Sequence, residues 1–448
     1  MDAPLRILTV IDSFHPRIGG AEHAALETAR SLVARGHHVD ILTIRYEPGW
    51  PPEESVDGVR IVRFPERVPP RPLGWLLYER ANAAAARRFV DASLADPPYD
   101  LILLHPIDAA FGVSRSRAAA HAPTVYCFHA PLGREHWLRV RGMRRSVSRA
   151  PSRWASLVSA AFTANYRAKQ QRAAVLRADA VTCPSEYSRD LLTDTVRRLG
   201  HKRIQVIPWG VDSERFCPAP DRAALRERFG WRPDEVVFFT ARRLVPRMGV
   251  GELIRAFELA FHKAQDTESA TAEAPPSPAL RLVIAGAGPL RGRLEGLARR
   301  AAPRHSPHEP SRIEFAGLVP PDDLPAYLQA ADFFVLPSID LEAFGLVTLE
   351  ALACGTPVLA TNRCASPEIL GGFDERLLIP GSEATAIAEA IRHAAVGLAA
   401  EPTLRTRCRD YVVANYSWDR TAAAFEQVAR QLLAARRAPN SAGEGSPS

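Results

Sequence analysis

Glu342 and Glu350 stand eight residues apart in the run Pro337-Ser338-Ile339-Asp340-Leu341-Glu342-Ala343-Phe344-Gly345-Leu346-Val347-Thr348-Leu349-Glu350-Ala351. A short apolar strand over 333–336 precedes the run, and the pattern after Gly345 predicts a helix over 346–353. Ligands of open α/β sheets gather at the carboxyl ends of strands, so an acidic loop here is well placed for chemistry. Eight residues of helix rise about 12 Å, too far for two carboxylates to act on one carbon as an acid–base pair. That spacing suits a long ligand held at two ends, a sugar at one carboxylate and a ribose at the other. Backbone N–H groups at the helix start would meet phosphates between them. The spacing alone also fits a plainer alternative, in which Glu342 caps the helix and Glu350 is a solvated helix residue.

Other segments offer complementary groups. Arg242-Arg243-Leu244-Val245-Pro246-Arg247-Met248-Gly249 follows a strand over 236–240 and leads into a helix. A basic loop in that place suits a diphosphate, or is simply solvated. Gly286-Ala287-Gly288-Pro289-Leu290-Arg291-Gly292 could pass for a dinucleotide fingerprint. Pro289, the missing final glycine and an acid placed inside the next strand (Glu314) weaken that reading. Gly288 then belongs to a tight turn or is a packing device. Gly19-Gly20 opens a helix, where amides unshielded by side chains can approach a phosphate. His129 follows a strand over 124–128 and His105 one over 101–104, both at carboxyl ends.

The elements that must position these groups alternate strand and helix. Strands are expected at 7–11, 39–44, 100–104, 124–128 and 180–183, with a helix carrying Leu26, Ala29, Leu32 and Val33 between the first two. The second half repeats the grammar with strands at 236–240, 282–285, 313–316, 333–336 and 357–361. Its first helix carries Val250, Leu253, Ile254, Phe257 and Phe261 at helical spacing. Strands of continuous apolar residues are buried on both faces of a mostly parallel sheet. The expected fold class is α/β, with two doubly wound domains joined near 205–211. Residues 264–278 and 302–311 read as polar excursions and 438–448 as a disordered tail.

The chain has 448 residues, long enough for two large domains. Hydrophobic residues make up 46% and charged residues 24%, a globular composition. No apolar run reaches the roughly 18–20 residues that span a bilayer, and the start lacks a signal peptide's apolar core. Six cysteines form no Cys-x-x-Cys pair, so no zinc site is signalled and a reducing cytoplasm is expected. A formal net charge of +7 allows an anionic partner without naming one; no nucleic acid is expected. Residues 134–177 hold ten arginines and Lys169 against one acid, Glu135, interleaved with Trp137, Trp154 and Phe162. Such a segment can lie on an anionic membrane at the inner face, or be a solvated basic face.

The Glu342-to-Glu350 spacing resembles the E-x7-E signature of the retaining glycosyltransferases of family 4, which adopt the GT-B fold. The surrounding Ala331-Asp332, Pro337-Ser338, Phe344-Gly345-Leu346 and Gly355-Thr356-Pro357-Val358 agree with it, and the similarity runs from Gly19-Gly20-Ala21-Glu22 to Tyr416-Ser417-Trp418. The resemblance implies two Rossmann-like domains facing a cleft: 1–205 on the acceptor side, 206–415 holding a nucleotide sugar, and a helix over 416–437 returning to the first. It implies that Glu342 lies by the donor sugar, Glu350 on the ribose and His129 facing the sugar. It puts Gly19, Gly20, Arg243, Gly288, Phe344, Gly345 and Leu346 around the donor. The family has a lysine where this chain has Met248, and Arg247 is the expected substitute. Trp209 replaces an asparagine of the family's hinge turn, and Glu368 lacks the glycines that precede it in the family.

The expected reaction moves a sugar from a UDP- or GDP-type donor to a lipid-linked, saccharide or small-molecule acceptor, with retention. No convincing nucleophile is present, so front-face displacement assisted by the leaving phosphate is the expectation, with domain closure assembling the site. No Asp-x-Asp constellation sits at a strand end, so no metal and no cofactor beyond the nucleotide sugar are expected. An NAD-dependent oxidoreductase, a sugar-nucleotide epimerase and a non-catalytic nucleotide-sugar or membrane-docking module are the rival readings.

Overall fold

A computed structural model describes residues 3–16, 19–70, 74–94, 96–106, 108–143, 152–270, 278–301 and 312–437. The chain divides into two compact units. The first comprises Met1–Arg134, Ala161–Trp209 and Trp418–Ser448, and the second Glu135–Ala160 and Gly210–Ser417.

The first unit is built on β1 (Arg6–Val10), β2 (His38–Arg45), β3 (Glu53–Val56), β4 (Val59–Pro65), β5 (Leu101–Leu104), β6 (Thr124–Cys127), β7 (Ala180–Cys183) and β8 (Arg203–Val206). Their order in the sheet is β3-β4-β2-β1-β5-β6-β7-β8. All neighbours are parallel except β3 and β4, a hairpin turned by Asp57-Gly58, both at positive φ. Ile7, Ile41, Leu101, Leu103 and Val125 are buried beneath Leu26, Ala29 and Leu32 of the helix Gly20–Ala34. The last helix, Trp418–Arg437, belongs to this unit and adds Phe425, Val428 and Leu432 to the same core.

The second unit is built on β9 (Glu235–Ala241), β10 (Ala279–Ala285), β11 (Ile313–Gly317), β12 (Phe333–Leu336), β13 (Val358–Thr361) and β14 (Leu378–Ile379). The order is β11-β10-β9-β12-β13-β14, parallel throughout. Phe238 and Phe239 of β9 lie opposite Phe333 and Phe334 of β12, with Phe238 and Phe333 stacked at 5.4 Å. Both faces of these strands are buried, which their unbroken apolar runs require.

Two sequence expectations change. Residues 264–270 are not an excursion but the end of the helix Val250–Ala270; 271–277, 302–311 and 438–448 lie outside the described residues. The helix after β12 starts at Leu346, with Gly345 as its N-cap in the left-handed conformation. Glu342 therefore neither caps that helix nor shares it with Glu350, and the 12 Å helical rise does not separate them.

Candidate active site

The second sheet grows outward from β9 through β10 and β11 on one side and β12, β13 and β14 on the other. The loops after β9 and β12 diverge at this switch point, where doubly wound sheets bind ligands. Loop 242–249 is pinned on two flanks. Arg242 N donates to Ala285 O at 3.0 Å, Leu244 N to Ala287 O at 2.8 Å, and Ile339 N to Arg247 O at 2.9 Å. A Cβ on Gly286 would lie 1.8 Å from Arg242 O, and one on Gly249 1.7 Å from Pro337 O. A Cβ on Gly288 would lie 2.5 Å from Leu244 O. Close packing against the basic loop thus accounts for the glycines after β10.

Glu342 sits at the centre of this arrangement. Arg242 Nη2 donates to its carboxylate, and Ser338 Oγ donates to it at 3.0 Å. Burial opposes ionisation of Glu342, but Arg242, Arg247 and Ser338 outweigh it and hold the carboxyl below its usual range. A buried carboxylate kept charged in this way supplies a fixed negative centre, suited to a developing positive charge on a sugar. Glu350 is different. It lies on the helix Leu346–Ala353, and burial pushes its carboxyl up to about 7 against the opposing charge of Arg215. It is not the fully solvated side chain of the plainer alternative.

The three arginines of loop 242–249 have separate fates. The Arg242 side chain is 4% exposed, beside Glu342 and with Nη2 2.9 Å from the sulfur of buried Met248. Arg243 is 66% exposed and, among the described residues, reaches Glu135 at 3.4 Å, a residue that groups with this unit. Arg247 donates to Leu341 O at 2.9 Å and to Glu135 at 3.2 Å. The sequence reading chose Arg243 and Arg247 and passed over Arg242. Arg242 is the first residue beyond β9, but nothing in the sequence turns it inward in preference to the other two. Phe344 is buried edge-on against Tyr416 at 6.1 Å, so it anchors the loop, while Leu346 begins the helix. Glu368 is exposed on the short helix Ser366–Leu370.

In the first unit the switch point falls between β1 and β5. His105, just past β5, has its Nδ1 2.9 Å from Nε2 of His129, just past β6, and the rings stack at 5.1 Å. Burial, with His129 adding to it, drives His105 well below the ordinary imidazole value, so it is neutral at pH 7. Trp209 lies against His129 at 5.4 Å. Asp12, past β1, was not read from the sequence. Its two oxygens accept the amides of Asp108 and Ala109, both at 2.8 Å. Burial beside that charge pushes the Asp108 carboxyl up to about 9. Gly20 has open space around it, but the Gly19 amide donates to Glu22 Oε2 at 3.1 Å and is therefore engaged by a carboxylate.

Among the described residues, no three or more His, Cys, Asp or Glu side chains gather as a metal site. No helix there is long and apolar enough to cross a membrane. Of the basic segment 134–177, residues 144–151 lie outside the described residues; on the rest, Phe162 is exposed and stacks parallel to Tyr166 at 6.5 Å.

Two α/β sheets, each with its loops opening at a switch point, form the GT-B architecture. The family pattern of Glycosyltransferase Family 4 matches residues 18–215 and that of Glycosyl transferases group 1 matches residues 221–412. The chain belongs to these glycosyltransferases and is an enzyme of the hexosyltransferase kind. It is 28% identical to a GDP-mannose-dependent alpha-(1-6)-phosphatidylinositol monomannoside mannosyltransferase of Mycobacterium tuberculosis, over 96% of this chain and 100% of that protein. It is 29% identical to the mannosylfructose-phosphate synthase of Agrobacterium fabrum, over 78% of this chain and 73% of that one. The structure of sucrose-phosphate synthase from Thermosynechococcus elongatus superposes with a TM-score of 0.72 at 24% identity, covering 96% of this chain and 100% of that chain, a likeness of fold.

Proposed function

We propose that the chain transfers a mannosyl group from GDP-mannose to a hydroxyl of a lipid-linked or saccharide acceptor, with retention at the anomeric carbon. The observation that carries the reading is the buried Arg242–Glu342 pair at the switch point of the second sheet, one helix start away from Glu350. The choice of GDP-mannose rests on relatives of near-complete coverage that are described as GDP-mannose-dependent mannosyltransferases.

In this reading the bond from the anomeric carbon to the diphosphate oxygen breaks as the acceptor oxygen joins the same face of that carbon. The acceptor proton passes to the departing phosphate. Glu342, held charged, faces the cationic sugar, and the positive end of the Leu346–Ala353 helix offsets the charge gathering on the diphosphate. Glu350 hydrogen-bonds the ribose. His129, with His105 behind it, offers a fixed imidazole at the switch point of the first sheet.

The test is a panel of GDP- and UDP-sugars scored for binding and slow hydrolysis, repeated with Glu342→Ala. GDP-mannose should bind best, and the variant should lose hydrolysis by about 100-fold or more while keeping nucleotide affinity. A preference for a UDP-sugar would overturn the donor. Wild-type hydrolysis in the variant would overturn the role of Glu342, and an inverted anomer by NMR would overturn retention.

A further inference from the structure

We propose that Arg242 supplies the diphosphate-binding charge that Met248 cannot, so that the cation of this site is carried from β9 rather than from the end of the loop. The inference rests on the nucleoside-diphosphate reading given above and names the residue that meets the phosphate.

Three observations carry it. The first is position. Arg242 is the first residue beyond β9, its amide fixed to Ala285 O, and its guanidinium lies against the Met248 sulfur at 2.9 Å. A cation stemming from position 248 would have to occupy the volume that this guanidinium fills. The second is an open valence. Arg242 Nη2 is committed to Glu342, but Arg242 Nη1 is buried and makes no hydrogen bond within the described residues. A buried charged donor left unpaired is costly, and an anionic oxygen is the group that satisfies it. The third is contrast: Arg243 is largely exposed beside Glu135, and Arg247 already donates to Leu341 O and Glu135, whereas a whole nitrogen of buried Arg242 is unbonded among the described residues. Thr348 Oγ1, on the first turn of the helix after Gly345, is also buried and without a hydrogen bond among the described residues.

Arg242 thus serves two anions. One Nη holds Glu342 charged, and the other is free for an oxygen of the donor's diphosphate. Bringing sugar-facing carboxylate and phosphate onto one guanidinium ties their positions together, which a lysine at 248 would not do.

The experiment measures GDP, GMP and guanosine binding by calorimetry to wild type, R242A, R242K, E342A, E342A/R242A and R242A/M248K. The expected result is a loss of GDP affinity of about 10- to 100-fold in R242A, with guanosine affinity unchanged and GMP in between. In E342A the further R242A change should still lower GDP affinity by a similar factor, because the phosphate contact is separate from the carboxylate contact. R242A/M248K should recover most of the loss. Equal GDP affinity for E342A and E342A/R242A would overturn the inference by reducing Arg242 to a support for Glu342. So would the absence of recovery in a double variant that melts at the wild-type temperature. If R242A alone fails to fold, E342A/R242A removes both buried charges together and keeps the comparison. A wild type that binds neither GDP nor UDP would overturn the nucleoside-diphosphate reading and this inference with it.

Discussion

Glu350 titrates at about 7 in the folded chain, against 4.5 for the exposed group, because burial penalises its charged form. Between those values the folded state keeps a proton that the unfolded chain has released. The stability contributed by this group is complete below about 4.5 and is lost as pH rises through about 7. Relative to Glu350→Gln, wild-type unfolding free energy should therefore fall across that window, read from urea melts at a series of pH values. Parallel curves would show that the carboxyl titrates at its ordinary value. Glu342 carries the opposite shift, since Arg242 more than offsets its burial. Both glutamates could be found from the sequence, because their spacing and the apolar strand before them are local. Arg242 could not be chosen over Arg243 and Arg247. Three arginines in one loop look alike until backbone pairing decides which turns inward.

At the scale of elements, the basic loop is held by glycines at close approaches. Gly249 has φ +72, and a Cβ there would lie 1.7 Å from Pro337 O. Gly249→Ala should cost about 2–4 kcal/mol, from left-handed strain plus displacement of backbone, with weakened GDP binding as the loop shifts. Gly20→Ala, at a helix start with open space, should be neutral or slightly stabilising. Melts of the two variants separate these outcomes, and equal effects would sink the packing argument. The helix Leu346–Ala353 was legible to the residue, since Gly345 before it and Gly355 after it are local stop signals. The β3–β4 hairpin was missed although Asp57-Gly58 is a strong hairpin turn. The strand β8, with no residue fully buried, lacks the apolar run that marked the others.

At the scale of the whole molecule, the chain's end completes its beginning. Phe425 of the helix Trp418–Arg437 is 5% exposed within the core of the first unit. Thr421 Oγ1 donates to Pro208 O at 2.8 Å, and Arg35 bonds Asp419 and Glu426. Phe425→Ala should destabilise this unit by about 3–5 kcal/mol, visible as an earlier unfolding transition in a denaturant melt. A change under about 0.5 kcal/mol would mean that the helix is not part of that core. The +7 net charge is largely arginine, and much of it is spent internally: Arg226, Arg242 and Arg405 are at least partly buried against carboxylates or carbonyls. The bulk charge was therefore a poor guide to partners.

The sequence by itself determined the α/β class, most strands of both sheets, and the placing of Glu342, Glu350 and His129 at strand ends or the helix that follows. Those features follow from local periodicity and from spacing within one segment. The tertiary structure decided which side chains meet. Arg242 reaches Glu342 across 100 positions, and His105 stacks on His129 across 24. Glycines 286 and 288 also prove to be packing residues there. Each of those results depends on sheet order and loop approach, quantities set by the burial of whole strands and not by the residues nearby in the chain.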